Sequence, residues 1–426
     1  MLDRTIPPRI HDAIDFDYVL PGLQQSPLQN GLTVHWLNAG VQDVVEVDWV
    51  LPAGIWFENK PGVAQAVAAL LKSGTATKTS QAINEAFEFY GANLQVSCGN
   101  DWVMLSLFTL SKHLPPLLPI VQDILSHSVF PEEELVLYKQ NTVQKLMVSL
   151  RQCEFVANQR IDAAIFGEGH PYGRFSKKEN IESVTREDVQ AYYRSHYALA
   201  NMHMFLSGKI GEKEVAALND VFGKQLIVPV SILSDTIQKH PDTEHRQLIT
   251  NDANGVQGAI RIGREFINRH HEDFAPMVVL NTLLGGYFGS RLMSNIREDK
   301  GYTYGIYSSQ SPFLNSGSYI IQTEVGREVI EGALKEIYFE MDRLCNEKVD
   351  TEELLLVKNY LLGNLLGDLD GPFQIIQRWR SLILNGLTKE HFNTNVEIYK
   401  SITPEKLQTL AQKYLRRDAF YEIVVI

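Results

Sequence analysis

Arg297 and Tyr304, seven positions apart in Arg297-Glu298-Asp299-Lys300-Gly301-Tyr302-Thr303-Tyr304, have side chains suited to a polarised carbonyl. Arginine offers a fixed positive fork and tyrosine a phenolic donor. Together they could hold a carbonyl oxygen and the oxyanion that forms when water attacks it. Ser290 to Lys300 reads as a helix, Gly301 as its left-handed terminator, and Tyr302 onward as a strand, so a side chain near the helix end and one on the strand can converge. Tyr302, five positions from Arg297, is a rival for the phenol role. The structural alternative pairs Arg297 with nearby acids and packs Tyr304 in a sheet.

Elsewhere the expected chemistry is missing. Gly62 to Thr75 reads as a helix with an apolar stripe of Val63, Val67, Leu70 and Leu71. A helix can set two imidazoles and a carboxylate around a metal, because residues three and four apart are neighbours. This helix carries instead Gln65, Ala68 and Ala69, and an amide and two methyl groups offer a divalent cation almost nothing. His270-His271-Glu272-Asp273 is metal-like in composition, but adjacent histidines do not share a helix face, and a family resemblance places the segment at an exposed helix start. His170, before Pro171 and Gly173, reads as a polar loop residue. Ile375, Ile376, Trp379, Leu382 and Ile383 have helical spacing and read as core or subunit interface. Leu283-Leu284-Gly285-Gly286-Tyr287-Phe288-Gly289-Ser290 is glycine-rich, which suits either helix entry or close backbone approach of a peptide. It lacks the lysine and hydroxyl residue of a phosphate loop.

With 426 residues, the chain is long enough for two or more domains. A formal charge of -12 and no basic stripe argue against nucleic-acid or anionic-membrane binding. No apolar run is long enough for a membrane span. Met1 to Pro8 carries an early acid and two prolines where a secretory signal needs an apolar core, so a soluble cytoplasmic protein is expected. Cys98, Cys153 and Cys345 are few and widely spaced, which suggests neither a disulfide framework nor a cysteine-based zinc site.

The chain matches itself. Pro131-Glu132-Glu133-Glu134-Leu135 has a counterpart in Asp350-Thr351-Glu352-Glu353-Leu354, and Val184-Thr185-Arg186-Glu187 one in Ile402-Thr403-Pro404-Glu405. Each reads as a helix start with acids in the first turn. The second helix of each pair leads to an apolar strand, Met202 to Leu206 or Tyr421 to Ile426. Leu32 to Leu37 and Val44 to Leu51 read as a strand pair turned by Asn38-Ala39-Gly40, and Ser80 to Tyr90 as a helix capped by Ser80 and ended by Gly91. The expected architecture is α+β: two homologous domains, each a mostly antiparallel sheet covered by helices, related by internal duplication. The expected division is 1–215, a connecting segment 216–245 containing Val228-Pro229-Val230, and 246–426.

These landmarks resemble the pitrilysin-type (inverzincin) metallopeptidases, which include the mitochondrial processing peptidase and two-subunit bacterial relatives. The resemblance rests on the frame from Gly62 to Thr75, on His170-Pro171-Tyr172-Gly173-Arg174, on the segment from Leu283, and on their order from Leu28 to Ile426. It implies that Gln65, Ala68 and Ala69 replace the two histidines and the glutamate of H-x-x-E-H. Gln144 or Lys145 falls at the position of a third ligand, a glutamate on a later helix. The resemblance also implies that Arg297 and Tyr304 face a partner's zinc site, and that Gly285, Gly286 and Gly289 handle substrate as in noncatalytic processing-peptidase subunits. The expected function is therefore a metal-free subunit that binds no cofactor itself and pairs with a homologous chain carrying H-x-x-E-H and zinc, with peptides or unfolded segments as substrates. The alternatives are a structural or peptide-binding subunit without a role in proteolysis, and a homomeric peptide-binding chamber.

Overall fold

The computed structural model describes residues 11–227 and 237–426, so Met1 to Pro8 and Val228-Pro229-Val230 lie outside the described residues. The fold is α+β, with two sheets of six and five strands. In the first half these are β1 (Gln24–Pro27), β2 (Thr33–Asn38), β3 (Val44–Leu51), β4 (Asn93–Cys98), β5 (Val103–Leu110) and β6 (His203–Gly208), in spatial order β1-β2-β6-β3-β5-β4.

The expected β2–β3 pair is corrected by β6, which runs between them, parallel to β2 and antiparallel to β3. Asn38 to Gly40 does not close a hairpin but passes over the end of β6. Gly208 O accepts from Ala39 N and Gly40 N at 3.2 and 3.1 Å. A Cβ on Gly40 would lie 2.4 Å from Lys209 N, so only glycine fits that crossing.

The second half supplies β7 (Arg246–Ile249), β8 (Gln257–Glu265), β9 (Ile306–Pro312), β10 (Gly317–Gly326) and β11 (Tyr421–Val425). Here too the last strand enters between the first two: β11 is parallel to β7 and antiparallel to β8. β9 and β10 pair antiparallel, as β4 and β5 do. The duplication read from helix starts thus extends to strand order. The helices begin where the starts were read, and each is capped: Thr185 forms a capping box with Asp188, Thr403 accepts from Lys406 N, and Asp350 from Glu352 N. One cap differs, because Thr79 rather than Ser80 accepts the N–H of Ala82 and starts the Ser80–Phe89 helix.

The chain forms two compact units that cross the sequence halves. One comprises Gly22–Glu265, Gly371–Ser381 and Tyr421–Ile426. The other comprises the described residues up to Pro21, Phe266–Asp370 and Leu382–Phe420. In the first unit successive side chains of β3 take opposite faces of the sheet. Val45, Val47, Trp49 and Leu51 are fully buried in the main core with Val63, Val67 and Leu71, whereas Glu46 and Asp48 fall on the opposite sheet face.

Segment 371–381 supplies partners on that opposite face. Arg380 forms an ion pair with Asp48, which is 1% exposed, and Ser106 Oγ donates to Asp48 at 2.5 Å. Phe373 packs on Phe108 with ring centroids 5.2 Å apart. The helix Cys153–Phe166 covers β8 and β11 in the same way. Asn158 Oδ1 there accepts from the buried Arg261 Nε at 2.6 Å, and a Cβ on Gly263 would lie 2.8 Å from Ile161. The two halves thus exchange helices, each covering a sheet face of the other.

Beside this ion pair, burial and the Asp48 charge push the Glu46 carboxyl up to about 7, with Arg380 opposing, and among the described residues Glu46 Oε2 has no partner. A carboxyl with a raised folded pKa favours folding below its unfolded value near 4.5, and that contribution is lost as pH rises through about 7. Glu46→Gln removes the loss. Its melting temperature relative to the parent should therefore rise between about pH 5 and about pH 8, as read by thermal melts at both.

Candidate functional site

The helix Val63–Leu70 starts from Gly62 at φ 89°, without a side-chain cap of its own. A carboxylate from upstream takes that role: Glu58 Oε2 accepts from Gly62 N at 3.1 Å and Ala64 N at 3.2 Å, satisfying two N–H groups that a helix start leaves open. Arg174 Nη1 donates to Glu58 Oε1 at 3.0 Å. Burial raises the Glu58 carboxyl, partly offset by these donors and the Arg174 charge.

The His170–Arg174 motif therefore positions this helix, and His170 lies in a loop as expected but is buried rather than exposed. It is buried in an aromatic cluster, stacked on Phe166 and edge-on to Trp56, and its Nδ1 accepts from Tyr172 N at 3.2 Å. Tyr172 Oη donates to Asp101 at 2.6 Å. Burial, the largest influence on His170, lowers its pKa and favours the neutral ring.

On this well-anchored helix Gln65 lines a small cavity of ≈30 Å³ with Glu58 and Arg174. Ala68 is buried in the core cluster and Ala69 is exposed. Gln144 lines a different cavity of ≈440 Å³, with Val136, Val143 and Glu182, and Lys145 is exposed. Among the described residues no three His, Cys, Asp or Glu side chains could hold a metal ion. The residues present do not fit the zinc of H-x-x-E-H enzymes, because an amide and two methyl groups leave such an ion without ligands. His270 and His271 are exposed, as expected, but Asp273 is buried and bonded to Lys406, Lys413 and Tyr414, which hold its carboxyl down to about 2 against the effect of burial.

One π-helical turn, Thr282–Gly286, holds Gly285 and Gly286, and a second, Met293–Asp299, takes the place of most of the regular helix expected from Ser290 to Lys300. Such turns recur at functional sites. Gly301 terminates the second at φ 68°, and the strand begins at Ile306 rather than Tyr302, which leaves 302–305 irregular. Sequence periodicity marks helical character but does not distinguish i→i+5 from i→i+4 hydrogen bonds.

Within this segment Arg297 and Tyr304 are brought together. Arg297 Nε donates to the Tyr304 carbonyl at 3.0 Å, and the guanidinium lies 4.6 Å over the Phe288 ring, which fixes its plane. Its Nη1 lies 3.8 Å from Glu298. Tyr304 is 94% exposed, so its phenol projects outward, whereas Tyr302 is half-buried with its ring near Gly332. Sequence reasoning misses Phe288 and Glu58. The available signals are weak: Phe288 lies within the glycine-rich segment, and Glu58 is an acid just ahead of a helix start.

The three glycines differ. Gly285 is buried, and a Cβ there would lie 2.8 Å from Ser308 N, so it lets the π-turn approach β9 closely. Gly286 and Gly289 are exposed. Gly285→Ala should lower stability by about 1–3 kcal/mol in thermal melts. Gly289→Ala, which meets only the Tyr287 ring, should cost less.

Residues 36–170 match the family described as "Insulinase (Peptidase family M16)", and residues 183–361 match "Peptidase M16 inactive domain". The chain belongs to the M16 peptidase family. An uncharacterised zinc protease of Rickettsia felis is 26% identical over 352 residues, covering 80% of this chain and 82% of that one. A probable mitochondrial-processing peptidase subunit beta of Schizosaccharomyces pombe is 25% identical over 280 residues, covering 63% and 60%. The fold matches a Pseudomonas fluorescens structure described as a peptidase M16 inactive domain, with TM-score 0.84 at 22% identity over 95% and 98% of the two chains. It also matches a Helicobacter pylori protease, with TM-score 0.86 at 15% identity over 96% and 100%. Its segment 183–361 is thus similar to the M16 inactive domain, and its sequence contains no H-x-x-E-H. Among the described residues no helix is long and apolar enough to cross a membrane.

Proposed function

We propose that this chain is the metal-free subunit of a two-chain zinc peptidase acting on peptides or unfolded polypeptide in the cytoplasm. A homologous partner carries H-x-x-E-H and zinc. This chain contributes Arg297, Tyr304 and half of the substrate chamber, with Gly286 and Gly289 exposed for peptide contact and Gly285 holding the loop in place.

The observation that carries the reading is an asymmetry. All metal-binding side chains are absent from the helix at 63–70, yet Arg297 is held in a fixed plane beside an outward-facing Tyr304. A guanidinium fork and a phenol that serve no site of their own chain suit a carbonyl presented by another. The gain from such groups depends on accurate placement, which requires a stable heterodimer.

The second reading, a structural or peptide-binding subunit with no part in proteolysis, is favoured by the bond from Arg297 Nε to the Tyr304 carbonyl, which is also what a purely structural arginine makes. Purifying this chain and an H-x-x-E-H relative, separately and together, tests the proposal by peptide cleavage. Activity is expected only from the pair. A relative that is fully active alone supports the second reading.

A further inference from the structure

The helix Glu132–Ser149 is apolar on two opposite sides. Leu135 and Leu146, at i and i+11, are buried, as the inward face of a surface helix requires. The outward face should then be polar, yet Val136, Val143 and Met147 repeat that spacing there, with Leu137 and Val148 beside them. Val143 is half-buried, and the other four are 45–63% exposed. A cavity of ≈440 Å³ opens along this face, lined by Val136 and Val143 on the helix and by Glu182. Both charges on its wall are taken: Lys139 Nζ donates to Val184 O at 2.8 Å, and Glu182 lies 3.7 Å from Lys178. The exposed Gln140 and Gln144 complete the lining, and among the described residues their side chains have no hydrogen-bond partner. Apolar side chains left in water along a cavity of this size mark a binding surface.

We infer that this groove is a subsite for uncharged apolar side chains of an extended polypeptide. The inference rests on the proposed role in peptide handling and gives the first half of the chain a part in it. Val136 and Val143 receive one apolar side chain, and Met147 and Val148 continue the track along the helix. Each carboxamide of Gln140 and Gln144 offers a donor and an acceptor, which match the N–H and C=O groups of an extended backbone. The area favours a peptide over a folded partner. The exposed parts of Val136, Leu137, Met147 and Val148 amount to roughly 400 Å², about half of the ~800 Å² per partner in a stable interface. The charge favours a neutral ligand, because the one amine and the one carboxylate on the wall already have partners.

The test uses the full chain and a fluorescein-labelled decapeptide with leucines at two alternate residues, which share a face of an extended chain, compared by anisotropy with its serine counterpart. The leucine peptide should bind about tenfold tighter or better. In Val136→Ser/Val143→Ser, checked for folding by thermal melt, the preference should fall below about threefold while the serine peptide binds as before. Gln140→Ala/Gln144→Ala should weaken both peptides alike and keep the preference. Equal binding of both peptides, binding of neither, or a preference unchanged in the valine variant overturns the inference and leaves the proposed function to its own cleavage assay. A pair that cleaves nothing while this chain keeps its leucine preference sinks the proteolytic role and retains the subsite. Loss of the preference on adding the H-x-x-E-H relative, with failure of the valine variant to pair with it in size-exclusion chromatography, assigns the face to the partner subunit and overturns the peptide assignment.

Discussion

Arg297→Ala in the assembled two-chain peptidase is expected to lower kcat/KM by about 10²–10³, the effect of deleting one oxyanion donor, or about 2.7–4 kcal/mol. The loss should fall mainly on kcat, because the fork acts on charge that develops as water attacks, and KM should change little. Stacking on Phe288 at 4.6 Å and the bond to the Tyr304 carbonyl fix the plane of the fork. Arg297→Lys keeps a charge but not the fork, so it should rescue only part of the rate. Tyr304→Phe removes only the phenol and should leave the pair assembled, as read by size-exclusion chromatography. Full activity in Arg297→Ala would reduce this element to scaffolding.

The largest stability effect is expected at the six-stranded sheet. Arg380→Ala leaves Asp48, 1% exposed, without its counter-charge, which should cost about 3–5 kcal/mol in denaturant unfolding near neutral pH. Burial already raises the Asp48 carboxyl and Arg380 opposes that rise. Without Arg380 the folded pKa climbs further. A raised carboxyl stabilises the fold when protonated and loses that contribution as pH rises, so the deficit of the variant should shrink on acidification. Replacing both residues by apolar ones of similar volume should be far milder than Arg380→Ala alone. If the single variant is as stable as the parent, the helix exchange between the two halves does not depend on this pair.

Local signals in the sequence carried most of the architecture. Thr185, Thr403 and Asp350 mark helix starts because their side chains cap within two or three residues, and alternation in Val44–Leu51 marks a strand because the pleat has period two. The same alternation does not say which strand lies alongside. That β6 enters between β2 and β3 depends on a pairing far away in sequence, and Gly40, which reads as a hairpin turn, is instead pressed against Lys209 at a crossing.

At the candidate site the degenerate helix and the spacing of Arg297 and Tyr304 were legible as residue types. What holds them was not. Glu58 caps through a loop, Phe288 acts through a ring face, and the burial of His170 follows from Trp56, Phe166 and Tyr172 converging from separate segments. Each is a through-space relation with no periodic signature.

Zinc stoichiometry decides whether this chain supplies a metal ligand to the shared active site. Metal content of the purified pair, measured beside each chain alone, should give one zinc per heterodimer, none in this chain, and cleavage only where the zinc-bearing partner is present. Stoichiometric zinc in this chain alone, or two zinc ions per heterodimer, would contradict the account.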